Sequence, residues 1–187
     1  MAVKSSQSAS RMLAVRASYH QDWPDTRLLN GSTKKGWNLA KFNLEQVAAF
    51  VAVQELINTW AHDLDMHNGL NIAALVTDDC LYTVGNTPLQ GRAAVEKSYQ
   101  DRLKRLSAEP TGVPTLRHMI SNLCVSFRNA HEVSITFSLL FFTSASGRNV
   151  PDPAAVADVR MDCRREADEH WRIARFDSNQ PFRRVPV

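Results

Sequence analysis

Apolar residues return at helical spacing between Leu44 and Asn68, where Val47, Phe50, Val51, Ile57, Trp60, Ala61 and Leu64 share one side of a ~3.6-residue period. No Pro or Gly interrupts the run before Gly69. The pattern predicts one long amphipathic helix, with Asn43 as N-cap, Gln46 at the capping-box spacing and Gly69 as terminator. Shorter helices are predicted over Leu70–Val76, closed by Thr77-Asp78-Asp79, and over Gly91–Leu106. On the latter, Ala94, Val95, Tyr99, Leu103 and Leu106 take one side, and Lys97, Asp101, Arg102 and Lys104 the other. A short strand, Cys80–Val84, precedes a turn at Gly85–Pro88. Longer strands follow at Thr115–Phe127, Val133–Thr143, Ala154–Arg165 and His170–Asp177. The connections Arg128–Ala130 and Glu166–Glu169 are of hairpin length, so the strands they join should be antiparallel.

Helices first and antiparallel strands afterwards make an α+β order. A strongly curved sheet wrapped around the long helix leaves a cone-shaped pocket between them. In Val133–Thr143 the odd positions form one apolar face, and the even ones turn apolar at Leu140 and Phe142. An end that is apolar on both faces predicts a second layer there, another subunit of a homo-oligomer (dimer or trimer). Residues 1–43 lack sustained periodicity and read as an arm that Trp23, Leu28, Leu29 and Trp37 would staple down; 44–177 form the domain and 178–187 a basic tail.

Composition narrows the functional classes. The 187 residues are 44% hydrophobic and 22% charged, as in ordinary globular chains, and a net charge of +3 gives no argument for nucleic acid or membrane as partner. No apolar run is long enough to span a bilayer. The first residues lack the apolar core of a secretory signal; they resemble a weak transit peptide but read rather as a plain disordered leader. Cys80, Cys124 and Cys163 are odd in number, far apart and on predicted strands, which suits buried thiols in a reducing, cytoplasmic setting.

Several polar residues invite a chemical reading. Asp65 lies about five helical turns beyond Val47, at the edge of the apolar stripe. A carboxylate facing an apolar interior costs several kcal/mol unless it has a partner, so either the helix has frayed there or Asp65 is a placed functional group. His62, Asp63, Asp65 and His67 are dense, but positions five apart do not share a helix face, and no metal is expected. Tyr82 is either a pocket phenol or a core tyrosine. Asp158, Arg160 and Asp162 share one face of their strand and Val159, Met161 and Cys163 the other. If the charged face looked inward, Arg160 would bind a carboxylate or phenolate; otherwise it is a solvated outer face. Phe137, Leu139 and Phe141 with Trp60 imply a mostly apolar, aromatic ligand.

Five segments together resemble the SnoaL-like branch of the NTF2-like superfamily: Trp60–Asp65, Leu75–Tyr82, Gly91–Val95, Arg117–Asn122 and His170–Arg175. The resemblance covers residues 44 to about 177, and in its motifs the chain looks most like scytalone dehydratase and the bile-acid dehydratases. It implies an α+β NTF2-like cone with a long N-terminal helix and two shorter helices on a strongly curved antiparallel sheet. It further implies an Asp/His pair, here Asp65 and His118, acting as general base and acid, with Trp60 lining the pocket. A histidine oriented by a carboxylate has a fixed tautomer and a stabilised imidazolium, and needs no metal or cofactor to move a proton. Leu64 and Val84 replace two tyrosines of scytalone dehydratase, Thr143 a second histidine, and Arg160 an asparagine that touches substrate. The expectation is thus a cofactor-free lyase, dehydratase-like, or an isomerase, acting on a small hydrophobic aromatic or polycyclic molecule. His118 and Asp65 are the candidate catalytic residues; Trp60, Tyr82, Val84, Phe137, Phe141, Thr143 and Arg160 would contact substrate. Alternatives are the non-catalytic small subunit of a ring-hydroxylating dioxygenase, or a small-molecule binding protein.

Overall fold

Capping decides where the long helix begins. In the computed structural model, which describes residues 41–84, 87–144 and 153–183, α1 (Leu44–His67) opens on a full capping box. The Gln46 amide donates to Asn43 Oδ1 (2.8 Å) and the Asn43 amide to Gln46 Oε1 (3.0 Å), an exchange that contributes about 1 kcal/mol. Its buried side differs from the expected stripe: Val53 and Leu56 join Ile57, Trp60, Ala61 and Leu64, while Val47 and Val51 are exposed. The terminator also differs: Asn68 adopts the left-handed cap conformation (φ 58), and Gly69 follows at φ 80.

The contacts divide the chain at Lys41/Phe42, and the fold described is that of the second unit, Phe42–Val187. The arm, with Trp23, Leu28, Leu29 and Trp37, lies outside the described residues, as do Gly85 and Asn86 of the predicted turn, most of the 144–153 loop and the last four residues. After α1 come α2 (Ile72–Leu75), β1 (Val76–Val84), β2 (Thr87–Gln90), α3 (Arg92–Ser107), β3 (Leu116–Asn129), β4 (Glu132–Thr143), β5 (Ala155–Arg165) and β6 (Trp171–Arg183). Asp78 and Asp79 lie inside β1 and do not form a turn. Their charges are met by arginines distant in sequence, Asp78 by Arg92 (3.0 Å) and Asp79 by Arg164 (2.7 Å).

The six strands form one curved, unclosed sheet in the order β2-β1-β6-β5-β4-β3. The hairpins β3/β4 and β5/β6 are antiparallel as expected. Unlike the all-antiparallel expectation, β1 and β6 run parallel. Odd positions of β4 and β5 face the helices and fill the core: Val133, Ile135, Phe137, Leu139 and, beside them, Ala157, Val159, Met161 and Cys163. On β3 the inward parity changes midway. A bulge lies between Ser121 and Cys124 with Asn122 at φ 57, so Leu116, His118 and Ile120 share a face with Leu123, Val125 and Phe127. The same shift turns Cys124 outward, and it is exposed, while Cys80 and Cys163 are buried thiols. Among the described residues no helix is long and apolar enough to cross a membrane.

Candidate active site

Asp65 is two residues from the end of α1, and the helix is regular there, so fraying does not explain it. Both its oxygens are engaged by one residue of β3. His118 donates its backbone N–H to Oδ2 (3.0 Å), and its Nδ1 lies 2.6 Å from Oδ1. The two side chains retain 12% and 10% of their exposure, so the pair is largely shielded from solvent. A carboxylate facing Nδ1 makes that nitrogen the protonated one and leaves Nε2 with its lone pair. The ring is held between Trp60 (centroids 5.9 Å) and Phe141 (4.9 Å).

Electrostatics keep this imidazole neutral at neutral pH. Burial, the largest influence, resists charge on His118; the hydrogen bond and charge of Asp65 favour it, and the Arg102 guanidinium opposes it again. The balance holds His118 below the ordinary value of 6.5. An uncharged Nε2 with a lone pair, on a ring whose imidazolium form Asp65 would balance, is suited to taking up a proton.

A cavity of about 250 Å³ opens beside His118. That is just below the ~300–1,000 Å³ typical of ligand pockets. Leu64, Leu139, Ala155, Ala157 and Phe176 make it mostly apolar. Of the residues expected to contact a ligand, Trp60, Val84 and Phe141 line it. Tyr82 and Phe137 do not; they form the layer behind. The Trp60 indole N–H donates to Tyr82 Oη (2.9 Å), Tyr82 stacks on Phe176 (4.4 Å), and Phe137 meets Trp60 edge-on. Thr143 is paired with Leu116 at the end of β4, outside the lining.

Arg160 is on the other side of the sheet. The odd positions of β5 fill the core, so its even positions must face out, where Arg160 bonds Asp162 (Nε to Oδ1, 3.2 Å) and Asp162 also accepts from Ser134 (2.6 Å). His62 is exposed and is not in the lining; it meets His67 edge-on at 5.9 Å, although the two are five positions apart. Among the described residues no group of three or more His, Cys, Asp or Glu gathers in a metal-binding arrangement. Asp63 is instead a buried corner brace, accepting from the backbone N–H and side-chain amide of Asn71 (2.8 Å for the latter).

Sequence reasoning missed the polar wall of the cavity: Ser98, Tyr99 and Arg102 of α3, with Ser178 and Gln180 of β6. The sequence pattern puts Arg102 on the polar side of its helix. Its spacing of three from Tyr99 and seven from the buried Val95 was the available signal that it shares the inward face.

A family model described as a SnoaL-like domain matches residues 45–177. No curated protein matches the chain. Among solved structures, one from Catenulispora acidiphila superposes with a TM-score of 0.62 at 22% identity, covering 74% of this chain and 95% of that one. A proposed scytalone dehydratase from Novosphingobium aromaticivorans gives 0.61 at 19% identity, covering 74% and 87%. A type 2 hexachlorocyclohexane dehydrochlorinase (LinA) gives 0.59 at 16%, covering 74% and 89%. At these identities the likeness is one of fold.

Proposed function

The chain belongs to the SnoaL-like domain family, within the NTF2-like superfamily, and from that premise we propose that it is a cofactor-free lyase or isomerase acting on a small aromatic substrate. The observation that carries this reading is the Asp65–His118 clamp at the wall of an apolar cavity. In the proposed step His118 Nε2 takes a proton from a carbon activated by a carbonyl or an aromatic ring. The electron pair of that C–H bond becomes part of a new double bond. A leaving group on the next carbon departs with the electrons of its own bond and collects the proton from Nε2; for a hydroxyl the product is water. Return of the proton to a different carbon is isomerisation. Asp65 holds the Nδ1 proton throughout and balances the imidazolium charge. The dehydratase and dehydrochlorinase among the fold relatives favour elimination.

The test is a mass-spectrometric screen against aromatic β-hydroxy carbonyl compounds. Loss of one water, or an unchanged mass at a new retention time, is expected with the wild type and absent with His118→Ala. Tight binding with no turnover, unaffected by Asp65→Asn and His118→Ala, would instead mark a binding protein. We further propose a homo-oligomer formed through the outer sheet face. There Met119, Leu140, Val156 and Phe182 make one apolar row across four strands, with Met119 and Phe182 well exposed.

A further inference from the structure

The lining that holds His118 also holds a cation, Arg102, for which the described residues supply no paired carboxylate. Arg92, Arg128, Arg160, Arg164 and Arg172 each pair with a carboxylate on the domain surface. Arg102 is half-buried in the cavity lining, and among the described residues no carboxylate pairs with it. A guanidinium held in a mostly apolar recess loses hydration that only an anion restores well, and its planar fork of donors matches two oxygens at once.

Tyr99 stands one helical turn earlier on the same wall. Its hydroxyl is 3.0 Å from that of Tyr82. Tyr82 is 1% exposed and its oxygen already accepts from the Trp60 indole. Its own proton therefore needs a buried acceptor, and Tyr99 Oη is the one within reach. A relay Trp60→Tyr82→Tyr99 then leaves the Tyr99 proton to be donated into the cavity. Gly69 packs against the Tyr99 ring so closely that a Cβ would fall 2.3 Å from it, which fixes the phenol in place.

We propose that Arg102 and Tyr99 form an anchor for an acidic oxygen of the substrate, so that the natural ligand is an aromatic carboxylate or phenolate and not a neutral hydrocarbon. The proposal rests on the reading of this cavity as the active site and names its substrate class. The anchor holds the charged end on α3 and turns the ring toward Nε2 of His118 across the cavity.

The experiment compares 2-naphthoate with its neutral analogue 2-naphthamide by calorimetry at pH 8, where His118 is uncharged. Wild type should bind the naphthoate about tenfold tighter or more, the yield of a hydrogen bond to a charged group. Arg102→Gln should erase that preference while leaving naphthamide affinity within about twofold, and Arg102→Lys should keep part of it. Tyr99→Phe should weaken naphthoate binding several-fold. His118→Asn should leave the preference intact, so the anchor is judged independently of turnover. Equal affinities in wild type, no binding of either probe, or a preference that survives Arg102→Gln would overturn the proposal. A preference lost in His118→Asn yet kept in Arg102→Gln would place the anion on the dyad, sinking the anchor and sparing the catalytic reading.

Discussion

A single carboxylate holding both a ring nitrogen and a backbone amide of one residue can be probed without any substrate. Burial holds the His118 titration below 6.5, while Asp65 pulls it up and Arg102 pushes it down. Histidine NMR on Asp65→Asn should therefore find His118 shifted further down, and on Arg102→Gln shifted up; opposite signs would refute the charge arrangement. The unfolded chain takes up a proton near the ordinary value while the folded one resists. Stability should thus fall as pH drops below about 6.5, by at most about 1.4 kcal/mol per pH unit for this one group, and be independent of it above neutrality. Catalytic activity, if limited by the base, should persist from neutral pH to below 6.5 and then fall. Asp65→Asn should cost about 10²–10⁴ in kcat, the usual worth of a positioned acid–base group. Asp65 was visible in the sequence as a carboxylate out of place on an apolar stripe. Arg102 carried only the weaker signal of its spacing from Tyr99 and Val95, and an arginine on an amphipathic helix reads as solvated when nothing shows what its helix packs against.

At the level of elements, the bulge in β3 decides whether the imidazole faces the cavity. Apolar parity runs even through Leu116 and Ile120 and odd from Leu123 to Phe127, a slip that the reading of Thr115–Phe127 as one uninterrupted strand does not register. Asn122 accommodates it in the left-handed region at φ 57, which a β-branched residue resists. Asn122→Val should lose about 1–3 kcal/mol in urea unfolding, and Asn122→Gly less than about 1. Gly69→Ala meets two objections, a φ of 80 and the Tyr99 ring. It should destabilise by about 1–3 kcal/mol and weaken naphthoate binding by displacing the phenol. The long helix and the four hairpin strands could be read from periodicity, and the strand pairing from the length of the connections. The strand character of Asp78 and Asp79 could not, since the arginines that meet them come from elsewhere in the chain.

For the whole molecule, the two faces of the sheet divide the labour. The inner face closes on α1 and the cavity. The outer face carries the polar ladder of Ser134, Asp162 and Arg175 at one end and the apolar row through Leu140 and Phe182 at the other. If the proposed homo-oligomer forms through this row, Leu140→Lys with Phe182→Glu should shift sedimentation toward monomer without altering the circular dichroism; a monomeric wild type or an unchanged mass would refute the proposed interface. Leu140 and Phe142 raise the expectation of a second layer in the sequence, but the row that joins Leu140 to Met119 and Phe182 depends on register, which exists only once strands pair.

Among the described residues β3 is the last strand of an open sheet, with β4 on one side only. The amide that Asp65 accepts from His118 is thus also a peptide N–H withheld from any foreign strand seeking to extend the sheet. Removing the carboxylate altogether, as in Asp65→Ala, should quicken deuterium uptake at that one amide. It should also make concentrated protein more prone to polymerise edge to edge.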